Sequence, residues 1–242
     1  MLNRFCRVTW SIDGDSQTGP IRDHNEDCIA FCEHARRSYA IVCDGVGGHN
    51  GGEVASHQAT AFIAEKIAAV DVLEETKLRA MLQQAHMHLC QAAEQNTALR
   101  HMATTVVLAV QRGGWVWLAW VGDSRAYRLS GDGVKQLTQD HSFVAEKVAQ
   151  GVLSEVEANN HPMANTITSA LGGKRNGLRH RGVIKLRVKR GDALLLMSDG
   201  VYGVLSDTEI AEAANAGARA LTSRAIACGS QDNASAIVIR CV

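Results

Sequence analysis

Aspartates interrupt apolar runs at four places in this sequence: Val42-Cys43-Asp44-Gly45, Trp120-Val121-Gly122-Asp123-Ser124, Leu196-Met197-Ser198-Asp199-Gly200 and Gln231-Asp232-Asn233-Ala234. Any one of them alone reads as a strand meeting a turn. In three of them a carboxylate sits at the end or start of a strand too apolar to lie outside a core. A lone buried carboxylate is costly, so each needs a cation or strong donors. Several acids converging on one point exceed what arginine can neutralise. Hard divalent cations, Mg²⁺ or Mn²⁺, prefer oxygen ligands and match this inventory. The glycine after Asp44 adds to it, because a residue without a side chain lets its carbonyl approach an ion.

A second constellation, Arg22-Asp23-His24-Asn25-Glu26-Asp27, puts a guanidinium a few residues from two adjacent carboxylates. Arginine offers a planar fork of donors suited to phosphate oxygens. Glu26 and Asp27 point to opposite faces if the chain is extended, so one can face an ion while the other orients its neighbours. The alternative for this segment is a solvated charged turn. A third feature is the glycine-rich stretch Gly45–Glu53, containing His49, ahead of a long helix. It lacks the lysine of a nucleotide-binding loop and is not G-x-G-x-x-G, so a nucleotide site does not follow.

The elements that must carry these groups are short strands and long helices. Strand-type runs occur at Tyr39–Cys43, Thr104–Val110, Trp115–Val121, Arg125–Leu129, Val183–Val188, Ala193–Met197 and Ser235–Arg240. Gln111-Arg112-Gly113-Gly114 joins two of them as a hairpin turn. Apolar residues at three-and-four spacing predict helices over Glu53–Val70 and Glu74–Ala93. Ser206-Asp207-Thr208-Glu209 and Ser154-Glu155-Val156-Glu157 have capping-box form. The stretch Asp140–Leu171 is weakly periodic and reads as an excursion from the sheets. Hairpin strands with long helices imply an α+β protein with antiparallel sheets covered by helices. Periodicity alone does not select two stacked sheets over other layered arrangements.

Composition removes several functions. With 46% hydrophobic and 21% charged residues the chain can pack a core, so it is not disordered. Lys plus Arg and Asp plus Glu number 25 each, and no basic run exceeds two or three residues, which argues against nucleic-acid binding. No apolar stretch approaches the ~20 residues of a bilayer crossing. Seven cysteines without a C-x-x-C pair indicate a reduced, cytoplasmic protein and not a disulfide scaffold.

In their order along the chain, the motifs resemble those of stand-alone bacterial metal-dependent Ser/Thr protein phosphatases of the 2C type, the PPM family. The resemblance rests on R-x-x-N-E-D at Arg22–Asp27, D-G-x-G-G-H at Asp44–His49, Ala103-Thr104-Thr105, V-G-D-S-R-A-Y at Val121–Tyr127, Leu137–Ser142, Asn165–Gly172, Gly191–Gly200 and Asp232-Asn233. It implies one domain over 1–242: a central β-sandwich of two antiparallel sheets flanked by helices, four layers in αββα order, with a flap at about 140–171. It implies that Asp44 bridges two Mn²⁺ or Mg²⁺ ions, that the Gly45 carbonyl binds one, and that Asp199 and Asp232 complete the other. Glu26 and Asp27 would act through water, Asp123 with Asp199 would take a third ion, and Arg22 would hold the substrate phosphate. A hydroxide bridging the two ions would then attack phosphorus in line. The implied partners are phosphorylated proteins, an opposing Ser/Thr kinase and FHA-domain substrates, with no nucleic acid and no membrane. One departure stands out. Val46 occupies the place where many eukaryotic members carry a histidine credited as general acid, which leaves that role open among a metal-bound water, His49 and His161. The alternative reading is a pseudophosphatase that binds phosphoproteins without turnover; the retained Asp44, Asp199, Asp232 and Arg22 count against it.

Overall fold

Strands that are apolar on both faces must be covered on both faces, and the architecture follows from that demand. A computed structural model describes residues 9–34, 37–46, 51–70, 72–112 and 114–242. In chain order the elements are β1 (Trp10–Gln17), β2 (Asp27–Cys32), β3 (Ser38–Val46), α1 (Gly51–Ala69), α2 (Glu75–Gln95), β4 (Ala103–Thr104), β5 (Val106–Arg112), β6 (Trp115–Val121), β7 (Arg125–Ser130) and β8 (Gly133–Gln136). They continue as α3 (Phe143–Ala149), α4 (Glu155–Asn159), β9 (Leu171–Gly172), β10 (Gly182–Leu186), β11 (Ala193–Met197), α5 (Asp199–Tyr202), α6 (Asp207–Ala216), α7 (Ala218–Ala227) and β12 (Ala234–Cys241). The strands form two antiparallel sheets. One has the order β1-β12-β11-β7-β8; the other runs β10-β6-β5-β3-β4-β9, with β2 also paired to β3.

Side-chain alternation within each strand builds three apolar layers. Val107 and Ala109 of β5, with Ala40 and Val42 of β3, meet Leu194, Leu196, Ile237 and Ile239 of the other sheet. The opposite faces of the same strands, Leu108, Val110, Ile41 and Cys43, pack under Ile63 and Ile67 of α1 and Leu82 and Leu89 of α2. On the far side Leu195, Met197, Ala236 and Val238 are covered by Ile210 of α6 and Leu221 and Ala225 of α7. The order is therefore helix, sheet, sheet, helix, the sandwich that the resemblance implied.

Several boundaries differ from the sequence reading. The single run Thr104–Val110 is two strands broken at Thr105, because that residue's backbone bonds Asp44 and leaves the ladder. β1 was not foreseen. Its sequence WSIDGDSQ is polar at alternate positions, as suits a strand at a sheet edge. Asp199 opens a short helix instead of a turn. Both predicted capping boxes are present, with Ser154 and Glu157 starting α4 and Ser206 and Glu209 starting α6.

Candidate metal centre

Strands β2 and β3 bring the first two acids together. Asp27 and Asp44 stand directly opposite each other in the antiparallel register. They share the strand face of Ile29 and Val42, which looks between the sheets. Asp44 is held at its backbone: its N–H donates to Thr105 Oγ1 at 3.1 Å, and its carbonyl accepts from Thr105 N and Thr104 Oγ1, each at 2.8 Å. Thr105 Oγ1 in turn meets Ser124 Oγ at 2.6 Å. The break between β4 and β5 thus ties Asp44 to the turn that carries Asp123.

The remaining acids come from the other sheet. Ser198, at the N-cap of α5, donates to Asp27 Oδ2 at 2.8 Å and accepts from Ser235 N at 3.0 Å, which fixes Asp199 beside it. Asn233 holds two segments together: its Nδ2 donates to His24 O at 3.0 Å, and its Oδ1 accepts from Glu26 N at 2.9 Å. Its own N–H donates to Asp232 Oδ1 at 2.8 Å. Two glycines allow these loops to touch. A Cβ on Gly200 would sit 2.0 Å from the Asn233 carbonyl oxygen, and one on Gly45 would sit 2.4 Å from the Gly52 backbone. Gly45 N donates to Glu26 O at 3.1 Å, so the Arg22–Asp27 segment is anchored from both sheets.

Burial and mutual repulsion dominate the electrostatics. Burial lifts the Asp44 carboxyl well above the usual range, and the charges of Asp27, Asp199, Asp123 and Asp232 lift it further. Burial raises Asp27 to about 7; the Ser235 and Ser198 hydroxyls oppose the shift, while Asp199 and Asp232 add to it. Asp123 rises to about 7 through burial and then through Asp199 and Asp140. Asp199 is raised by burial and Asp232, and it is hydrogen-bonded to Asp44. Arg22 contacts Asp232 at 2.6 Å, but both side chains are more than a third exposed and offset little of this charge.

Five carboxylates in electrostatic contact, all oxygen donors, fit hard divalent cations. Among the described residues no three His, Cys, Asp or Glu side chains already close on one point. The acids repel one another, and among them Asp232 is the one paired with Arg22.

A cleft of about 910 Å³ opens over Asp123, Asp199, Asp232 and Arg22. Its far wall comes from the segment between β8 and β9, through Asp140, Ser142 and Asn165. Arg125 clamps Asp140 with Nε at 3.0 Å and Nη2 at 2.7 Å while stacking 3.8 Å over the Tyr202 ring. The Tyr202 hydroxyl donates to the Asp123 carbonyl at 2.9 Å. His161 does not line the cleft; its Nδ1 accepts from Met163 N at 3.0 Å and its ring packs on Phe143. His49 lies outside the described residues. The supporting roles of Thr105, Ser198, Asn233 and Ser235 were missed from sequence, although hydroxyls and an amide set among buried apolar residues were the available signal.

A family model described as Protein phosphatase 2C matches residues 22–225. The serine/threonine phosphatase stp of Listeria monocytogenes is 37% identical over 200 residues, covering 80% of this chain and 79% of its own. The solved structure of serine/threonine phosphatase Stp1 from Staphylococcus aureus superposes with TM-score 0.87 at 29% identity, covering 100% of each chain. The catalytic domain of the serine/threonine phosphatase PstP, solved with two manganese ions, gives TM-score 0.81 at 28% identity over 97% of this chain and 99% of that one. The chain belongs to the protein phosphatase 2C family, the metal-dependent serine/threonine protein phosphatases.

Proposed function

We propose that this acidic cluster holds two divalent cations, Mn²⁺ or Mg²⁺, and hydrolyses phosphoserine and phosphothreonine in proteins. Asp44 with the Gly45 carbonyl, Asp199 and Asp232 would hold the pair, with Glu26 and Asp27 orienting the ligands. Asp123 and Asp199, both facing the cleft, would take a third ion. When bound, such ions acidify a water near neutral pH and neutralise phosphoryl oxygens. Arg22 sits at the cleft edge, where its donors can exchange the Asp232 carboxylate for a substrate phosphate of higher charge. Among the described residues no cysteine lines the cleft, and the proposed chemistry uses no thiol nucleophile.

The observation that carries this reading is the meeting of Asp27, Asp44, Asp123 and Asp199, with the partly exposed Asp232, from five separate segments in one mutually repelling group. The manganese pair in a relative of the same fold supports the choice of cation. The physiological setting we infer is a cytoplasm in which a Ser/Thr kinase supplies the substrates, FHA-domain proteins among them; among the described residues no helix is long and apolar enough to cross a membrane. The test is hydrolysis of p-nitrophenyl phosphate and a phosphothreonine peptide, with Mn²⁺ or with chelator, by the native protein and Asp199→Asn. Turnover only with metal, and lost in the variant, is expected. Turnover in excess chelator would contradict the metal assignment, and peptide binding without phosphate release under every condition would favour the pseudophosphatase reading.

A further inference from the structure

Net charge zero conceals a sharp asymmetry. From Lys174 to Arg190 the sequence carries eight Lys or Arg and no Asp or Glu, which leaves 17 basic against 25 acidic residues in the rest of the chain. Apolar residues separate the basic ones, so no basic run appears, yet alternation along a strand gathers them on one side. In β10, Ile184 and Leu186 turn toward the inter-sheet core. Lys185, and beyond the strand Arg187 and Lys189, therefore project from the other face, where all three are exposed.

Among the described residues β10 is the last strand of its sheet and pairs only with β6. Its basic face lies beside two tryptophans of that neighbour. Lys185 Nζ stands 4.4 Å from the Trp115 ring centre and 5.0 Å from that of Trp117, and the Arg187 guanidinium lies 4.3 Å from Trp115. Among the described residues none of Arg179, Lys185, Arg187, Lys189 or Arg190 forms an ion pair. Charged side chains on an edge strand also deter edge-to-edge pairing, but deterrence requires no single sign. Cations held in place on aromatic rings are pre-ordered for an anionic partner.

We propose that this strip, from Arg179 to Arg190 along β10, docks an acidic extended segment of the phosphoprotein substrate, outside the catalytic cleft. The proposal rests on the phosphatase reading for the identity of its occupant. Charge complementarity selects an acidic ligand. The strip is one strand wide on a body that is otherwise acidic, which suits a short peptide and disfavours a long polyanion or a flat anionic membrane. Same-face spacing matches as well, since acids at alternate positions of an extended peptide repeat with the period of Lys185, Arg187 and Lys189. The strip also connects to the cleft: Gly182 pairs with Trp120, whose Nε1 donates to Gln139 O at 2.8 Å, next to the cleft residue Asp140. Trp117, opposite Lys185, lies six residues before Asp123, which bounds their separation at about 20 Å. Tethering at that distance raises the local concentration of the phosphoresidue without touching the chemistry.

The experiment compares a phosphothreonine peptide bearing an alternating Asp/Ser tail, joined by a ~12-residue Gly/Ser spacer of ~20 Å mean span, with the same peptide bearing a neutral tail. Three exposed ion pairs of ordinary strength predict a KM about five- to tenfold lower for the acidic tail at low salt, with kcat unchanged. The advantage should vanish in Lys185→Gln/Arg187→Gln/Lys189→Gln, and that variant should keep the native rate on p-nitrophenyl phosphate, which also shows that it is folded. Equal KM for both tails, or an advantage that survives in the variant, would overturn the docking strip while leaving the phosphatase reading intact. If neither peptide is hydrolysed, the phosphatase reading fails, and fluorescence anisotropy of the labelled acidic tail still decides the strip by its loss or persistence in the variant. Tighter binding of a single-stranded oligonucleotide than of the acidic tail would overturn the choice of occupant.

Discussion

Removing the Asn233 side chain should separate the scaffold of the proposed metal centre from the residues proposed to hold the cations. The buried side chain of Asn233 bonds no carboxylate of the cluster, but its amide joins the Arg22–Asp27 segment to the loop carrying Asp232 through bonds of 3.0 and 2.9 Å. Asn233→Ala deletes both bonds and leaves the Glu26 N–H and the His24 carbonyl without their partner. At about 1–2 kcal/mol for each lost bond to a partly buried group, the fold should lose roughly 2–4 kcal/mol. For a domain of this size that corresponds to a fall in Tm of about 4–8 °C. Because residues behind metal ligands set their orientation, half-saturation by Mn²⁺ should shift about 10- to 100-fold upward. Activity should recover toward the native level at high Mn²⁺. Asn233→Asp keeps the acceptor, loses the donor and adds charge beside Asp232, so it should lose at least as much stability without metal. Urea unfolding of metal-free protein and Mn²⁺ titration of p-nitrophenyl phosphate turnover read both quantities. An alanine variant with native stability and native Mn²⁺ dependence would refute the role assigned to this amide.

Three further outcomes follow from the same geometry. Burial and the nearby His180 charge lower His141 to about 4, and its Nδ1 accepts the Gly122 N–H; the unfolded chain takes up that proton first, so stability should fall as pH drops from 6.5 toward 4, by at most about 3 kcal/mol, a slope that urea unfolding should find missing in His141→Gln. Arg125→Ala leaves Asp140 without its bidentate partner and the Tyr202 ring without its cation, so unfolding measurements should show a loss of about 2–4 kcal/mol, with kcat reduced more than Mn²⁺ affinity. Burial raises the Cys43 and Cys241 thiols, the latter to about 12, and among the described residues no cysteine lines the cleft; alkylation with iodoacetamide under native conditions should leave turnover intact.

Much of this was legible because strand runs and acid positions are local signals. Trp115–Val121 and Ala193–Met197 were bounded correctly from composition, since continuous apolar runs are what a strand covered on both faces requires. The layer order was not contained in periodicity; it depends on which face each strand gives to which neighbour, and it entered through the resemblance of the motifs. The acids were visible as interruptions of apolar strands, but their supports were not. Thr105 looked like one more β-branched residue in a strand, although its hydrogen bonds to Asp44 and Ser124 break that strand in two. Asn233 bonds residues more than 200 positions away, a relation that no local window contains. The basic strip escaped for the opposite reason: its charges are local, but a strand must form before alternate positions become neighbours in space.

The central claim is that Asp44, Asp199 and Asp232 hold the catalytic cations. Anomalous scattering from crystals grown with Mn²⁺ tests it most directly. Two peaks are expected at the base of the cleft, each about 2.0–2.3 Å from an oxygen of these carboxylates, with loss of at least one in Asp199→Asn. Peaks confined to other surface acids, or no peak beside Asp44 in an enzyme that is turning over, would contradict it.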